Sequence, residues 1–299
     1  MSDPKSKDQS FYLKLSDRPP TAAFTDLLET YSGVRTEDVS QHIEKVRDEA
    51  WDHYPFPSIG LLLFQDLGLT GDDLPKDDPE ITQKIQTAYQ TILSKLKNRG
   101  RFLDVGCMFA QDTRKLVYDG APISSVYGCD IRGDYITHGY KLFRDIHIIP
   151  PERFFAADIL DEGDTHLKRL EGKLDVINAV HLMHVFSIED QRKLVRRVIT
   201  MLKQKPGVMF TGRTSGNLTS GYHELTNAES TTKSAEGKIW EHTPESFKEM
   251  WKEESEAMNT QWDVDCWFWR FGVHTGKKDD PNWHRKEEHG ICTFIATRL

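Results

Sequence analysis

Between Arg101 and Asp130 the chain carries two short apolar runs, each stopped by a turn residue: Phe102-Leu103-Asp104-Val105-Gly106-Cys107, then Val126-Tyr127-Gly128-Cys129-Asp130. The first reads as a strand closed by a glycine turn and the second as a strand closed by a carboxylate. In a βαβ unit the first turn lets backbone N–H groups approach a ligand, and an acid at the second strand tip accepts from ribose hydroxyls. Gly106 and Asp130 stand 24 residues apart. That leaves room for a short helix over 112–118, stopped by Gly120 and Pro122. The layout predicts a nucleoside site on Asp104, Gly106, Cys107, Asp130 and Ile131.

The turn Asp104-Val105-Gly106-Cys107-Met108-Phe109-Ala110-Gln111 keeps one glycine of the dinucleotide fingerprint and puts Met108 and Ala110 beyond it. A dinucleotide needs the later glycines so that backbone can approach the pyrophosphate and the helix can pack closely. S-adenosylmethionine has no phosphate and brings only an amino-acid end to such a loop, so a side chain there does less harm. Arg132 would suit the 2′-phosphate of NADP, but the neighbouring carboxylate of Asp130 would repel it. The turn therefore favours a methyl donor over NAD(P).

On these residues the chain resembles the class I S-adenosylmethionine-dependent methyltransferases, and more narrowly the fungal methyltransferases of meroterpenoid and polyketide pathways. The narrower resemblance rests on Tyr31-Ser32-Gly33-Val34, Tyr54-Pro55-Phe56-Pro57-Ser58-Ile59-Gly60, the loop from Gly106 to Asp112, Asp119-Gly120-Ala121-Pro122, and Gly139-Tyr140-Lys141-Leu142-Phe143-Arg144-Asp145. It implies an α/β fold with a Rossmann-like seven-stranded sheet and S-adenosyl-L-methionine as cofactor. Asp158 would accept from the adenine amino group, and the Ile159 backbone N–H would meet a ring nitrogen. Asn178 and Val180 would complete the cofactor site. Some members of the subfamily form methyl esters of carboxylic acids.

The rest of the chain fits that expectation. A helix near 134–144, a strand over 153–157 ending in Asp158 and a strand over 174–180 continue a βαβα alternation, the mark of a parallel sheet with helices on both faces. Ser187-Ile188-Glu189-Asp190 reads as a helix cap, and Val208 to Gly212 as the fifth strand. Residues 214–238 have little apolar content and read as a functional loop or a disordered one. Strands over 264–273 and 291–297 complete the sheet, with an antiparallel pairing that only the resemblance implies. Before the sheet, Val39, Ile43, Val46 and Ala50 form one helical stripe with Thr36 as its cap and Pro55 as its stop. Ile81, Ile85, Ala88, Ile92 and Leu96 form another. The chain thus divides into an arm and helical cap over 1–98 and a methyltransferase domain over 99–299, with an inserted loop at about 214–240.

Composition narrows the partners. The net charge of −8, from 39 basic and 47 acidic residues, argues against a nucleic-acid surface. No run approaches a membrane span, and the polar start has no apolar signal region. The four cysteines show no disulfide or zinc spacing, as in a cytoplasmic protein with no metal. A homodimer is compatible with the sequence. Two histidines, His181 and His184, follow the fourth strand and are the candidate catalytic base or positioning groups. Arg213 ends the following strand and could hold a carboxylate. Trp51, Tyr54, His181 and Tyr222 join it as candidate acceptor-site residues, and an aromatic site suits a small terpenoid or polyketide acid. The resulting expectation is an O-methyltransferase of a small secondary metabolite acting on a carboxyl group. Hydroxyl methylation of a polyketide and a catalytically silent binding subunit are the alternatives.

Overall fold

In the computed structural model, residues 5–7, 11–72, 78–224, 238–270 and 288–299 are described. The cap begins with α1 (Ala22–Asp26), whose first turn is closed by Thr21 Oγ1 accepting from the Phe24 N–H, and continues into a π-helical turn over Leu27–Tyr31. The predicted stripe becomes α2 (Val39–His53), but Thr36 does not cap it: Thr36–Asp38 forms a 3-10 turn and Asp38 precedes the helix without a side-chain cap. Then follow α3 (Pro57–Gly60) and α4 (Pro79–Lys97). The Asp78 carboxylate accepts from the Glu80 and Ile81 N–H groups at 3.0 and 3.1 Å, satisfying donors that a helix start leaves open.

The sheet then alternates with helices: β1 (Phe102–Val105), α5 (Gln111–Tyr118), β2 (Val126–Asp130), α6 (Gly133–Phe143), β3 (Phe154–Ala156), α7 (Thr165–Leu170) and β4 (Val176–Val180). Next come α8 (Ile188–Met201) and β5 (Met209–Asn217). A hairpin of β6 (Gly221–Glu224) and β7 (Lys238–Glu241) precedes α9 (Pro244–Ala257), β8 (Trp262–Arg270) and β9 (His289–Arg298). Seven strands lie in the order β3-β2-β1-β4-β5-β9-β8, with β6 and β7 apart in a two-stranded ribbon. The neighbours from β3 through β5 are parallel, whereas β9 runs antiparallel to both β5 and β8. Strand order reverses between β1 and β4, where a doubly wound sheet opens its binding crevice.

The antiparallel pairing implied for the last two strands is observed, β9 opposing both β8 and β5; the predicted loop after β5 changes. Residues 214–217 belong to β5, because nine residues of that strand pair with β9 from Met209↔Thr297 to Asn217↔His289. The predicted loop also contains β6 and β7, joined from Gly221↔Glu241 to Glu224↔Lys238. Residues 225–237 of that loop and 271–273 of the predicted strand lie outside the described residues.

The first part of the cap packs against α6 and the segment after β1. Ile43, Val46, Ala50 and Trp51 of α2 pack in one cluster with Phe24, Phe64, Phe109, Tyr135 and Phe143, burying the stripe that the periodicity marks. At its edge Arg114 and Asp145 form an ion pair that is almost fully sealed, at 1% and 0% side-chain exposure. Among the described residues no helix is long and apolar enough to cross a membrane.

Candidate functional site

The C-terminal ends of β1, β2, β3, β4 and β5 converge on one edge of the sheet, and the predicted cofactor residues lie on them. Under that edge runs a polar chain through the core. Thr113 Oγ1 donates to Asp104 Oδ2 at 3.3 Å, Asn178 Nδ2 to Asp104 Oδ1 at 2.9 Å, and Thr211 Oγ1 to Asn178 Oδ1 at 3.1 Å. Burial pushes the Asp104 carboxyl up to about 7, against the two hydrogen bonds that lower it. Asp104 and Asn178 are both buried, so they brace β1, β4 and α5 from beneath the turn.

The turn after β1 is built from left-handed backbone, with φ of +65° at Gly106, +50° at Met108 and +54° at Ala110. Non-glycine residues adopt this region rarely, and several bonds hold it. Cys107 N–H donates to Cys129 O at 3.0 Å, Met108 N–H to Asp130 Oδ2 at 2.9 Å, and Arg114 Nη1 to Phe109 O at 2.7 Å. A Cβ on Gly106 would stand 2.7 Å from Leu182 Cδ1, on the loop after β4. Cys107 itself is buried.

Asp130 ends β2 with both oxygens on backbone donors, Met108 N–H and Arg132 N–H, each at 2.9 Å. Burial raises its carboxyl to about 6, opposed by those two bonds. Each oxygen has a second lone pair. Next to it Ile131 leaves 58% of its surface exposed, an apolar face at the crevice. Ala157 N–H donates to Asp130 O at 2.9 Å, which brings Asp158 beside that strand tip. Asp158 is half-buried, and its Oδ1 takes the Leu160 N–H at 3.0 Å, so it also serves as the turn residue that aspartate often is. The Ile159 side chain packs in the main core; any ligand contact falls to its backbone.

Val180 ends β4 and His181 follows it. His181 lies at φ +54° and its N–H donates to Arg213 O at 2.8 Å. His184 Nδ1 lies 3.3 Å from the Ser215 N–H that donates to it and 3.4 Å from Thr214 Oγ1. The two imidazoles meet edge to face with centroids 6.5 Å apart. Arg213 is 1% exposed, inside the β4–β5 junction.

The acceptor-side aromatics separate. Tyr54 packs beside the β2 tip: the Arg132 guanidinium sits 4.1 Å from its ring centroid, while Arg132 pairs with Asp134 at 2.7 Å. Trp51 turns into the cap instead. Its ring is fully buried against Phe11 and Tyr12, and its Nε1 donates to Lys5 O at 3.0 Å. The helical period that delivers Trp51 to the end of α2 also turns it into the cap. Tyr222 stands exposed on β6, edge to face with Trp240 at 5.1 Å.

Sequence reasoning missed two parts of this edge. A strap from the cap crosses it: Leu69 N–H donates to Asp112 Oδ1 at 2.9 Å, and a Cβ on Gly68 would stand 2.9 Å from Val180 Cγ1. Arg18 ties that strap to the arm through both oxygens of Asp66, at 2.8 and 2.7 Å. The other part is Glu241 with His289, 2.7 Å apart at the far end of β5. Gly68 offered no periodic signal, and the Glu241–His289 pair spans 48 residues of sequence.

A family model described as the meroterpenoid methyltransferase N-terminal domain matches residues 11–65. The O-methyltransferase phiE of a fungal species is 32% identical over 86% of this chain and 79% of its own length. Methyltransferase trt5 of Aspergillus terreus is 31% identical over 81% of this chain and 79% of its own. O-methyltransferase atr3 of Stereocaulon alpinum is 35% identical over 80% of this chain, which spans only 64% of that relative's length. With the Gly106 turn, the Asp130 tip and the β3-β2-β1-β4-β5-β9-β8 sheet, this chain belongs to the fungal secondary-metabolite family of S-adenosylmethionine-dependent methyltransferases.

Proposed function

We propose that this chain forms a methyl ester on a carboxyl group of a small secondary metabolite, using S-adenosylmethionine. The residues present fit that cofactor. Asp130 keeps lone pairs for ribose hydroxyls, the exposed Ile131 offers an apolar face to the base, and Asp158 with the Ile159 backbone stands one strand away for its polar edge. Gly106 and Cys107 form the turn beside it, with Asp104 and Asn178 bracing that turn and Val180 closing the β4 side. When bound, the cofactor would supply an electrophilic methyl carbon on a sulfonium, open to attack by an oxygen lone pair of the acceptor as the carbon–sulfur bond breaks and the neutral thioether leaves.

The single observation that carries the ester reading is the state of His184. Its Nδ1 accepts the Ser215 N–H, so in the neutral ring the proton sits on Nε2. The ring then meets an acceptor as a donor, not as a base. A carboxylate is ionised at about pH 7 and needs no base; what it needs is donors and alignment. His181, Tyr54, Tyr222 and the buried Arg213 complete the acceptor side in this reading. The remaining task of the chain is to exclude water, and the strap over Val180 supports that role.

The test is mass spectrometry of products after incubation with S-adenosylmethionine and matched panels of aromatic or terpenoid acids and phenols. A methyl gained on an acid and lost in mild alkali establishes the ester. A methyl that survives alkali overturns it in favour of a hydroxyl acceptor.

A further inference from the structure

The cap meets the tip of β2 at one side chain, Arg132. Helix α2 packs along α6: His42 Nε2 donates to Leu142 O at 2.8 Å, Lys141 Nζ to Glu49 Oε2 at 2.6 Å, and the His53 and His138 rings stand edge to face at 5.1 Å. That packing brings the end of α2, and with it Tyr54, opposite the first turn of α6. The Arg132 guanidinium carbon lies 4.1 Å from the Tyr54 centroid and 5.8 Å from that of the buried Tyr135. Its Nε and Nη2 donate to Asp134 Oδ1 and Oδ2 at 3.0 and 2.7 Å. Those hydrogen bonds hold the Asp134 carboxyl below its usual range.

The residue so gripped is the one that aligns Asp130, because its backbone N–H donates to Asp130 Oδ1 at 2.9 Å. Arg132 leaves 37% of its side chain exposed, and a long cation in that position keeps its rotamer freedom unless something removes it. Here two contacts do. The ring face of Tyr54 attracts the guanidinium, and the two-point pairing with Asp134 fixes its plane. A ligand that must order a loose turn loses affinity to that ordering, whereas a turn already ordered spares it. Ile131, exposed between Asp130 and Arg132, is held by the same clasp.

We propose that Arg132 is a positioning residue for Asp130, and that Tyr54, acting through Arg132, couples docking of the cap to binding of S-adenosylmethionine. Tyr54 thus affects the cofactor without touching it. The assignment rests on the reading of Asp130 as the residue that holds the ribose. Such coupling is reciprocal, so the cofactor in turn steadies the end of α2.

The test is calorimetric affinity for S-adenosylhomocysteine, without an acceptor, of wild type, Tyr54→Leu, Tyr54→Phe, Arg132→Gln and the double variant Tyr54→Leu/Arg132→Gln. Tyr54→Leu is expected to weaken binding about threefold to tenfold, the worth of a partly exposed cation–π contact. Tyr54→Phe, which keeps the ring face, should bind within about twofold of wild type. On top of Arg132→Gln, Tyr54→Leu should cost nothing further. An unchanged affinity in Tyr54→Leu overturns the proposal. So does an equal loss with and without Arg132→Gln, the mark of a tyrosine that meets the cofactor directly or only supports the fold. Should Tyr54→Leu fail to fold, hydrogen exchange decides. The Tyr54 amide donates to Ala50 O at 3.0 Å, and S-adenosylhomocysteine should slow its exchange about threefold in wild type but not in Arg132→Gln. Equal slowing in both, or none in wild type, overturns the coupling. Asp130→Ala separates the two readings: unchanged affinity there defeats the ribose assignment, whereas a loss there with unchanged affinity in Tyr54→Leu defeats only the coupling.

Discussion

Met108 and Asp130 lock the first two strand ends together: the Met108 N–H donates to Asp130 Oδ2 at 2.9 Å while Met108 holds a φ of +50°. A left-handed non-glycine residue is strained by roughly 1 kcal/mol or more, and a hydrogen bond to a buried carboxylate offsets a cost of that size. The turn therefore keeps its shape without the later glycines of a dinucleotide site. The same carboxylate is the group proposed to hold ribose, so loop geometry and ligand binding share one residue.

Asp130→Ala is expected to weaken S-adenosylmethionine binding by roughly 1–3 kcal/mol, from the lost acceptor and the released Met108 N–H. Titration calorimetry on the folded variant measures this. Unchanged affinity would remove Asp130 from the cofactor site.

Gly106→Ala should reduce both stability and cofactor affinity, because φ is +65° and the new Cβ would stand 2.7 Å from Leu182 Cδ1. The second contact is with a side chain, which can be trimmed. Leu182→Ala combined with Gly106→Ala should recover part of the loss and leave about 1 kcal/mol of backbone strain. A double variant no better than the single one would show that backbone strain alone is responsible.

Arg114→Met is expected to destabilise the protein by about 3–5 kcal/mol, because Asp145 would be left as an uncompensated buried charge. Arg114 also donates to Phe109 O at 2.7 Å, and Tyr31 OH donates to Asp145 Oδ2 at 2.8 Å. The pair thus joins the cap, α5 and the cofactor turn. Urea unfolding of Arg114→Met, Asp145→Leu and the double variant measures the coupling, and the double variant should be less destabilised than the sum of the singles.

Asp104 gives stability an identifiable pH dependence. Its folded carboxyl titrates at about 7, above its ordinary 3.8, because of burial. The folded protein therefore holds a proton that the unfolded chain has released, and stability falls as pH rises from about 4 to about 7. Asp130, raised to about 6, acts in the same direction. His242, lowered to about 4 by burial, acts oppositely: its contribution is lost as pH falls from about 6.5 toward 4. Asp104→Asn should flatten the loss on the alkaline side, gaining up to a few kcal/mol over wild type at about pH 8 and nothing below about pH 4. Equal denaturation midpoints at both pH values would refute this.

The strand–turn–strand unit and the strand-tip positions of Gly106, Asp130, Asp158 and Val180 were legible because alternation and turn chemistry act over a few residues. So were α2, α4, α5, α6 and α8 within a residue or three of their ends. The extra length of β5 was not, since Thr214 to Asn217 are polar and become strand only by pairing with β9, seventy-odd positions later. Trp51 shows the same limit: sequence places it at the end of α2, but burial against Phe11 and Tyr12 decides that it fills the cap. The Arg18–Asp66 tie, the Gly68 strap and the Glu241–His289 pair join segments far apart in the chain. Local propensity and pattern thus determined the βαβ frame and its nucleoside end. The surroundings of Trp51, His184 and Glu241 were decided by the tertiary structure, because their contacts depend on which distant segments the fold brings side by side.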